Sequence, residues 1–179
     1  MRSVLPVLCI ALLCASGCSR DESATPASLA PSAPAVADAN AAAPAPATSG
    51  TLTDPASGAR CDGQDVAITR DGFELVLEGT CGAVVITASN GAVNVDRATS
   101  VRVEGSQVTV LNSRVESVDV RGTDNTLNLT DVGTLDVSGD RNLVLARGIE
   151  RVTLRGASNT VNPDNAPAVE DSGTGNRVL

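Results

Sequence analysis

From Val84 onward the chain repeats itself every 17 residues without a gap. The units begin at Val84, Val101, Val118, Leu135 and Val152, a partial unit from Val169 closes the chain, and an 18-residue version starts at Val66. Positions within the unit form columns. Column one holds Val84, Val101, Val118, Leu135, Val152 and Val169, column three Ile86, Val103, Val120, Val137 and Leu154, and column ten Val93, Val110, Leu127, Val144, Val161 and Val178. Column five carries Gly105, Gly122, Gly139, Gly156 and Gly173, and column eight ends in Asn125, Asn142, Asn159 and Asn176. A unit this short cannot bury its own apolar side chains. Stacked units share a continuous aliphatic interior.

Apolar residues alternate around columns one and three and again around columns eight, ten and twelve. That is the period of strands, and valine suits them. The glycine between the two stretches permits a corner. The expected fold is all-β: a small single-domain parallel β-helix, or solenoid, of about six to seven coils stacked about 4.8 Å apart. An antiparallel sandwich would share the alternation but would not keep column identities with one corner glycine per unit. The spacing departs from the six-residue repeat of left-handed helices, so a right-handed coil is expected.

The amino-terminal segment has a different logic. Met1-Arg2-Ser3 is positively charged, and Val4 to Ala15 is nearly all apolar and too short to cross a bilayer as a helix. Ala15-Ser16-Gly17-Cys18 follows and resembles a lipobox, with Ala15 where Leu is usual. By that resemblance Cys18 becomes a lipidated amino terminus, and residues 1–17 are a lipoprotein signal peptide. Ordinary cleavage that leaves Cys18 unmodified is the alternative. Ser19 after the cysteine, where an inner-membrane signal would have Asp, favours the outer membrane facing the periplasm. Residues 18–58 are rich in Ala, Pro and Ser and read as a disordered tether. The solenoid occupies 59–179.

Cys9 and Cys14 leave with the signal, and Cys18 carries lipid. Cys61 and Cys81 remain, 20 residues apart, about one coil. In an oxidising compartment they are expected to form a structural disulfide. The chain has no His, Trp, Tyr or Lys and a net charge of −8. Nucleic-acid binding is excluded, since there is neither a basic face nor an aromatic platform. The acidity also argues against anionic lipid headgroups as the main ligand. No zinc site is expected without His or a second cysteine pair.

The units V-x-V-x-G-x-x-N-x-V, the leading Cys61-Asp62-Gly63 and the closing Gly173-x-Gly175-Asn176 resemble the bacterial domain-of-unknown-function family 3060. The resemblance covers the folded part, implies a cell-envelope protein and supplies no activity. Ala88 in the glycine column and Val108 in the asparagine column depart from the pattern.

Several features invite chemistry. The Asn125, Asn142, Asn159 and Asn176 column reads as a structural amide ladder, bonding along the axis and tolerating a left-handed turn. Asp119 and Asp136 fall in one outward column, about 5 Å apart, the separation of a retaining glycosidase pair. With Arg121 they define the alternative reading, a polysaccharide-acting β-helix enzyme. Arg102 and Arg121 can neutralise such a ladder, and a rod without aromatic residues offers no sugar-stacking cleft, so no enzyme is expected. Asp124, Asp131, Asp140 and Asp164 lie in turns, but the Gly-Gly-x-Gly-x-Asp calcium repeat is absent, and no metal or cofactor is expected. Thr109, Thr126 and Thr160 form a column that Leu143 and Ala92 interrupt, unlike an ice-binding face. Leu111, Leu143 and Leu145 point outward and are the candidate contact face for a partner or a second copy, or else scattered surface leucines. Pro163, Pro167 and Asp171 read as a stop to further stacking. The reading is a non-catalytic, membrane-tethered envelope lipoprotein, a structural or binding module for an envelope protein or glycan, with homo-oligomerisation open.

Overall fold

A computed structural model describes residues 50–179. The expectations on residues 1–17, on Cys18 and on the tether up to residue 49 lie outside the described residues. Eleven strands make up the rest: Thr51–Thr53 (β1), Ala59–Arg60 (β2), Asp65–Ile68 (β3), Glu74–Ile86 (β4), Ala92–Val103 (β5), Thr109–Val120 (β6), Thr126–Val137 (β7), Leu143–Leu154 (β8), Thr160–Pro163 (β9), Ala168–Asp171 (β10) and Arg177–Val178 (β11). Every pairing is parallel, and the order β1-β3-β4-β5-β6-β7-β8-β9-β11 shows each coil stacking on the last. The result is a parallel β-solenoid of about eight turns. The 17-residue offset is kept across β5 to β8: Val101 pairs with Val118, Val118 with Leu135 and Leu135 with Val152.

Each coil has three sides. In β6 the buried residues are Val110 and Asn112 on the first side, Val115 on a short second side, and Val118 and Val120 on the third. Ser113 and Glu116 fall out of the ladder on both flanks, so each marks a bend. Residues 121–125 then turn the chain into the next coil. The short side arises because alternation breaks at two adjacent exposed residues, Ser113 and Arg114, which shifts the inward position by one and turns the backbone. The interior is mostly aliphatic, with Val93, Val110, Leu127, Val144 and Val161 stacked in one ladder.

The ordered fold starts upstream of residue 59. β1 pairs with β3 through Leu52 and Val66, and Asp54 caps the turn after β3. Its carboxylate accepts bonds from the Thr69 amide at 2.7 Å, the Thr69 hydroxyl at 2.7 Å and the Arg70 amide at 3.2 Å. These bonds, the Thr69 hydroxyl first, hold the Asp54 carboxyl below its ordinary pKa. The Thr-Leu-Thr strand is only three residues long and sits in Ala/Pro/Ser-like sequence, which hides its period. It accounts for the extra turn.

Cys61 and Cys81 are buried and disulfide-bonded. The link closes a 20-residue loop in the first coils. Loops of that length give about 2–3 kcal/mol of stabilisation. A Cys61→Ser, Cys81→Ser variant is expected to lose about 2 kcal/mol, with hydrogen exchange accelerated in β1 to β3 and unchanged in β7 and β8. Equal acceleration along the whole rod would contradict a local clasp.

The left-handed backbone position is column seven rather than the asparagine column. Asn90, Gln107, Asp124, Arg141 and Ser158 have φ between 55° and 58°, and Gly175 completes the series at 68°. Residues other than glycine are strained there by about 1 kcal/mol each. Gln107→Gly is therefore expected to raise stability by about 0.5–1 kcal/mol in urea titration. A loss of stability would mean that the Gln107 side chain makes a contribution larger than its backbone strain.

At the far end β10 lies against β8, and all four of its residues are exposed, including Val169. Asp171 does not enter the interior. Its carboxylate accepts the Gly173 amide at 2.8 Å and the Asn176 side-chain amide at 3.0 Å, which closes the final turn on itself.

Candidate functional site

The asparagine column is the best-defined polar arrangement in the rod. Asn125, Asn142 and Asn159 are buried. The Oδ1 of each asparagine accepts the backbone N–H one coil before it: Val108 to Asn125 at 2.8 Å, Asn125 to Asn142, Asn142 to Asn159 and Asn159 to Asn176, each at 2.9 Å. Each Nδ2 donates to the column-five carbonyl of the previous coil, from Asn125 to Gly105 and Asn142 to Gly122 at 3.0 Å, and from Asn159 to Gly139 at 2.8 Å. The side chain thus pairs two buried backbone groups that the turn leaves without strand partners. Each Oδ1 and each Nδ2 of the three buried asparagines is therefore engaged within the ladder. Column eight is apolar at its other end, where the Phe73 ring packs over Gly91.

The third side faces outward with charge. Asp119 and Asp136 are register neighbours. Asp119 accepts from Arg102 at 3.2 Å and Arg121 at 3.0 Å, and Asp136 accepts from Arg155 at 2.7 Å. Hydrogen bonding to Asp119 raises the Arg121 pKa above its ordinary value. Both carboxylates proposed for glycan chemistry are therefore held by guanidinium groups. Elsewhere Arg141 grips Asp124 with two bonds of 2.8 and 2.7 Å, and Arg147 grips Asp131 likewise. Those bonds, ahead of the coulombic attraction, lower the pKa of Asp124 and Asp131. Asp140 accepts the Ala157 amide at 2.7 Å, and Asp164 sits beside Arg147 at the edge of the first side. Asp124 and Asp140 share one corner in adjacent coils, while Asp131 lies within β7 and, like Asp164, near Arg147. Among the described residues no three His, Cys, Asp or Glu side chains converge as a metal ion would need.

The short second side is a shallow trough whose floor is Val115, Val132 and Ile149 and whose rims include Arg114, Asp131, Glu116 and Glu150. Gly133 and Gly148 open it.

The first side differs from both. Its outward columns nine and eleven run from Ala92 and Asn94 through Thr109, Leu111, Thr126, Asn128, Leu143 and Leu145 to Thr160 and Asn162 without a charge. Charge appears in these columns only at the two ends, as Glu74 and Arg177. Of the five exposed large aliphatic side chains among the described residues, four lie here: Val76 at 43%, Leu111 at 40%, Leu143 at 36% and Leu179 at 68%. The three leucines expected to form one patch share this face but are not contiguous. Asn128 separates Leu111 from Leu145 in column eleven, and Leu143 lies two positions along the strand from a half-buried Leu145.

One polar residue escaped the reading of the sequence. Asn112 replaces an aliphatic residue in column twelve, between Val95 and Leu129. Its Nδ2 donates to the Val95 carbonyl at 3.0 Å, and its Oδ1 is buried without a partner. Only its position opposite aliphatic residues in the neighbouring units signals that it points inward.

Residues 120–175 match the model of a family described as "Protein of unknown function (DUF3060)". The match supports the family resemblance drawn from the Val, Gly and Asn columns. No curated protein and no solved structure matches the chain.

Proposed function

We propose that the protein is a non-catalytic lipoprotein of the cell envelope, tethered through Cys18 to the outer membrane and facing the periplasm. Its rod displays the first side as a recognition face for an envelope protein or glycan. The observation that carries this reading is the absence of charge from columns nine and eleven over five consecutive coils, in a chain where 19% of residues are charged. Charged rows keep a sheet surface in water, and an uncharged row of Thr, Asn and Leu loses little when it is covered. The third side and the corners carry arginine–carboxylate pairs instead, which suits surfaces that stay solvated.

Leu143→Asp together with Leu145→Asp is expected to abolish retention of whatever partner the wild-type chain holds in solubilised envelopes, while circular dichroism still shows a β-rich fold. Undiminished retention by the folded variant would remove this face as the recognition surface. Intact mass measurement of the chain extracted from membranes tests the anchor separately. An unlipidated chain beginning near residue 18 would make the protein a soluble periplasmic or secreted rod.

A further inference from the structure

We propose that the first side pairs with the first side of a second copy of this chain, the two rods lying antiparallel about a two-fold axis that runs along the strands through Asn128. The proposal rests on the reading of that side as a recognition face and names its partner.

Column eleven carries the argument. It alternates an aliphatic side chain with an amide at every coil: Val76, then Asn94, Leu111, Asn128, Leu145, Asn162 and, after Val178, Leu179. The series reads the same in both directions about Asn128. Turning a copy end over end about that residue lays Leu111 on Leu145, Asn94 on Asn162 and Val76 on Leu179. Aliphatic groups meet aliphatic groups. Amides meet amides, which donate and accept together.

Column nine closes the match. Its only charges are Glu74 at one end and Arg177 at the other. The same rotation sets Glu74 of each copy against Arg177 of the other, so the ion pair forms twice, as an isologous interface requires. The like-charged Asp96 and Asp164 are also brought near, likewise twice, but they lie in column thirteen at the solvated rim. The rival docking, with rods running parallel, is poorer. It lays column nine on column thirteen, sets Glu74 against Glu78 and puts Leu143 against Arg147.

The face is about 30 Å long and about 13 Å wide by strand geometry, so pairing would cover on the order of 1,000 Å² counted over both copies. That is the low end of specific interfaces, which suits copies concentrated on one membrane better than dilute copies in solution.

Facing sheets stand about 10 Å apart, beyond the ~7 Å reach of a direct disulfide, so the test uses a short bifunctional maleimide. The full chain is examined in its native membranes, with the parent sequence as control for any coupling through its own cysteines. Asn128→Cys is expected to give a product of twice the chain mass. Asn94→Cys and Asn162→Cys are expected to give it only when the two variants are expressed together. Glu74→Arg and Arg177→Glu, each added to the Asn128→Cys chain, should lower the yield about fivefold, and their combination should restore it. Self-pairing is overturned if thiols reactive toward a monofunctional maleimide give no doubled product. The antiparallel arrangement is overturned if Asn94→Cys or Asn162→Cys alone couples as well as Asn128→Cys. A product of some other mass would end self-pairing while keeping the face as a recognition surface. Loss of every product, with retention of a partner by the Leu143→Asp, Leu145→Asp variant, would end both readings.

Discussion

Gly122→Ala is expected to destabilise the rod by about 4 kcal/mol, a large part of the stability of a domain this size. Column five is where successive coils come closest. A methyl group on Gly122 would lie inside the van der Waals envelope of the Gly105 carbonyl oxygen and 2.9 Å from the Asn125 side-chain nitrogen. The oxygen belongs to backbone and cannot rotate away, and the amide is committed to that same oxygen at 3.0 Å. Relief requires parting two coils, which loosens the strand ladder on both sides of the turn. Gly148→Ala provides the control. A methyl there would meet only an Asp131 carboxylate oxygen, at 3.8 Å, so a change within about 0.5 kcal/mol is expected. Urea unfolding of the two variants measures the difference, and equal effects would refute steric closure at column five. Ala88 occupies the same column in the first 17-residue unit and is buried there.

Asn142→Leu is expected to cost about 3 kcal/mol. Leucine has nearly the same length but strands two buried backbone groups, the Asn125 amide and the Gly122 carbonyl, each worth about 1–3 kcal/mol when left unpaired. The same change at Asn176 should cost about 1 kcal/mol or less, since that residue is only half buried and water can replace it. Chemical denaturation of both variants is the measurement. A neutral Asn142→Leu would mean that the column is not structural, and its amides would return as candidate ligand groups.

Much of this was legible beforehand because burial and spacing report on each other. A strict 17-residue offset with valine in fixed columns leaves one way to share an interior, and Cys61 and Cys81, one coil apart, then have to meet. The short second side was not legible. Its outward columns hold Arg97, Arg114, Asp131, Gly148 and Asn165, which read equally well as a loop. Residue type places the left-handed position on asparagine, which tolerates it. The backbone puts it one position earlier, on residues as unlike as Gln107 and Arg141, because the turn dictates φ and leaves the side chain at the surface, where its identity is free to vary. The candidate face was half legible. Leu111, Leu143 and Leu145 were recognised as outward, but the intervening Asn128 and the lack of charge emerge only when coils are laid side by side.

The orientation of the ladder has a mechanical consequence. The hydrogen bonds between coils lie along the long axis, so tension applied at the amino-terminal end would open them in sequence, one coil after another. Each coil freed would lengthen the chain by about 50 Å in place of about 5 Å of rod. The first such step has a stop. Once β1 and β2 have peeled away, the load passes from Cys61 directly to Cys81, and the residues between them carry none of it. Under pull from that end, the coil between Cys61 and Cys81 is the one that cannot pay out.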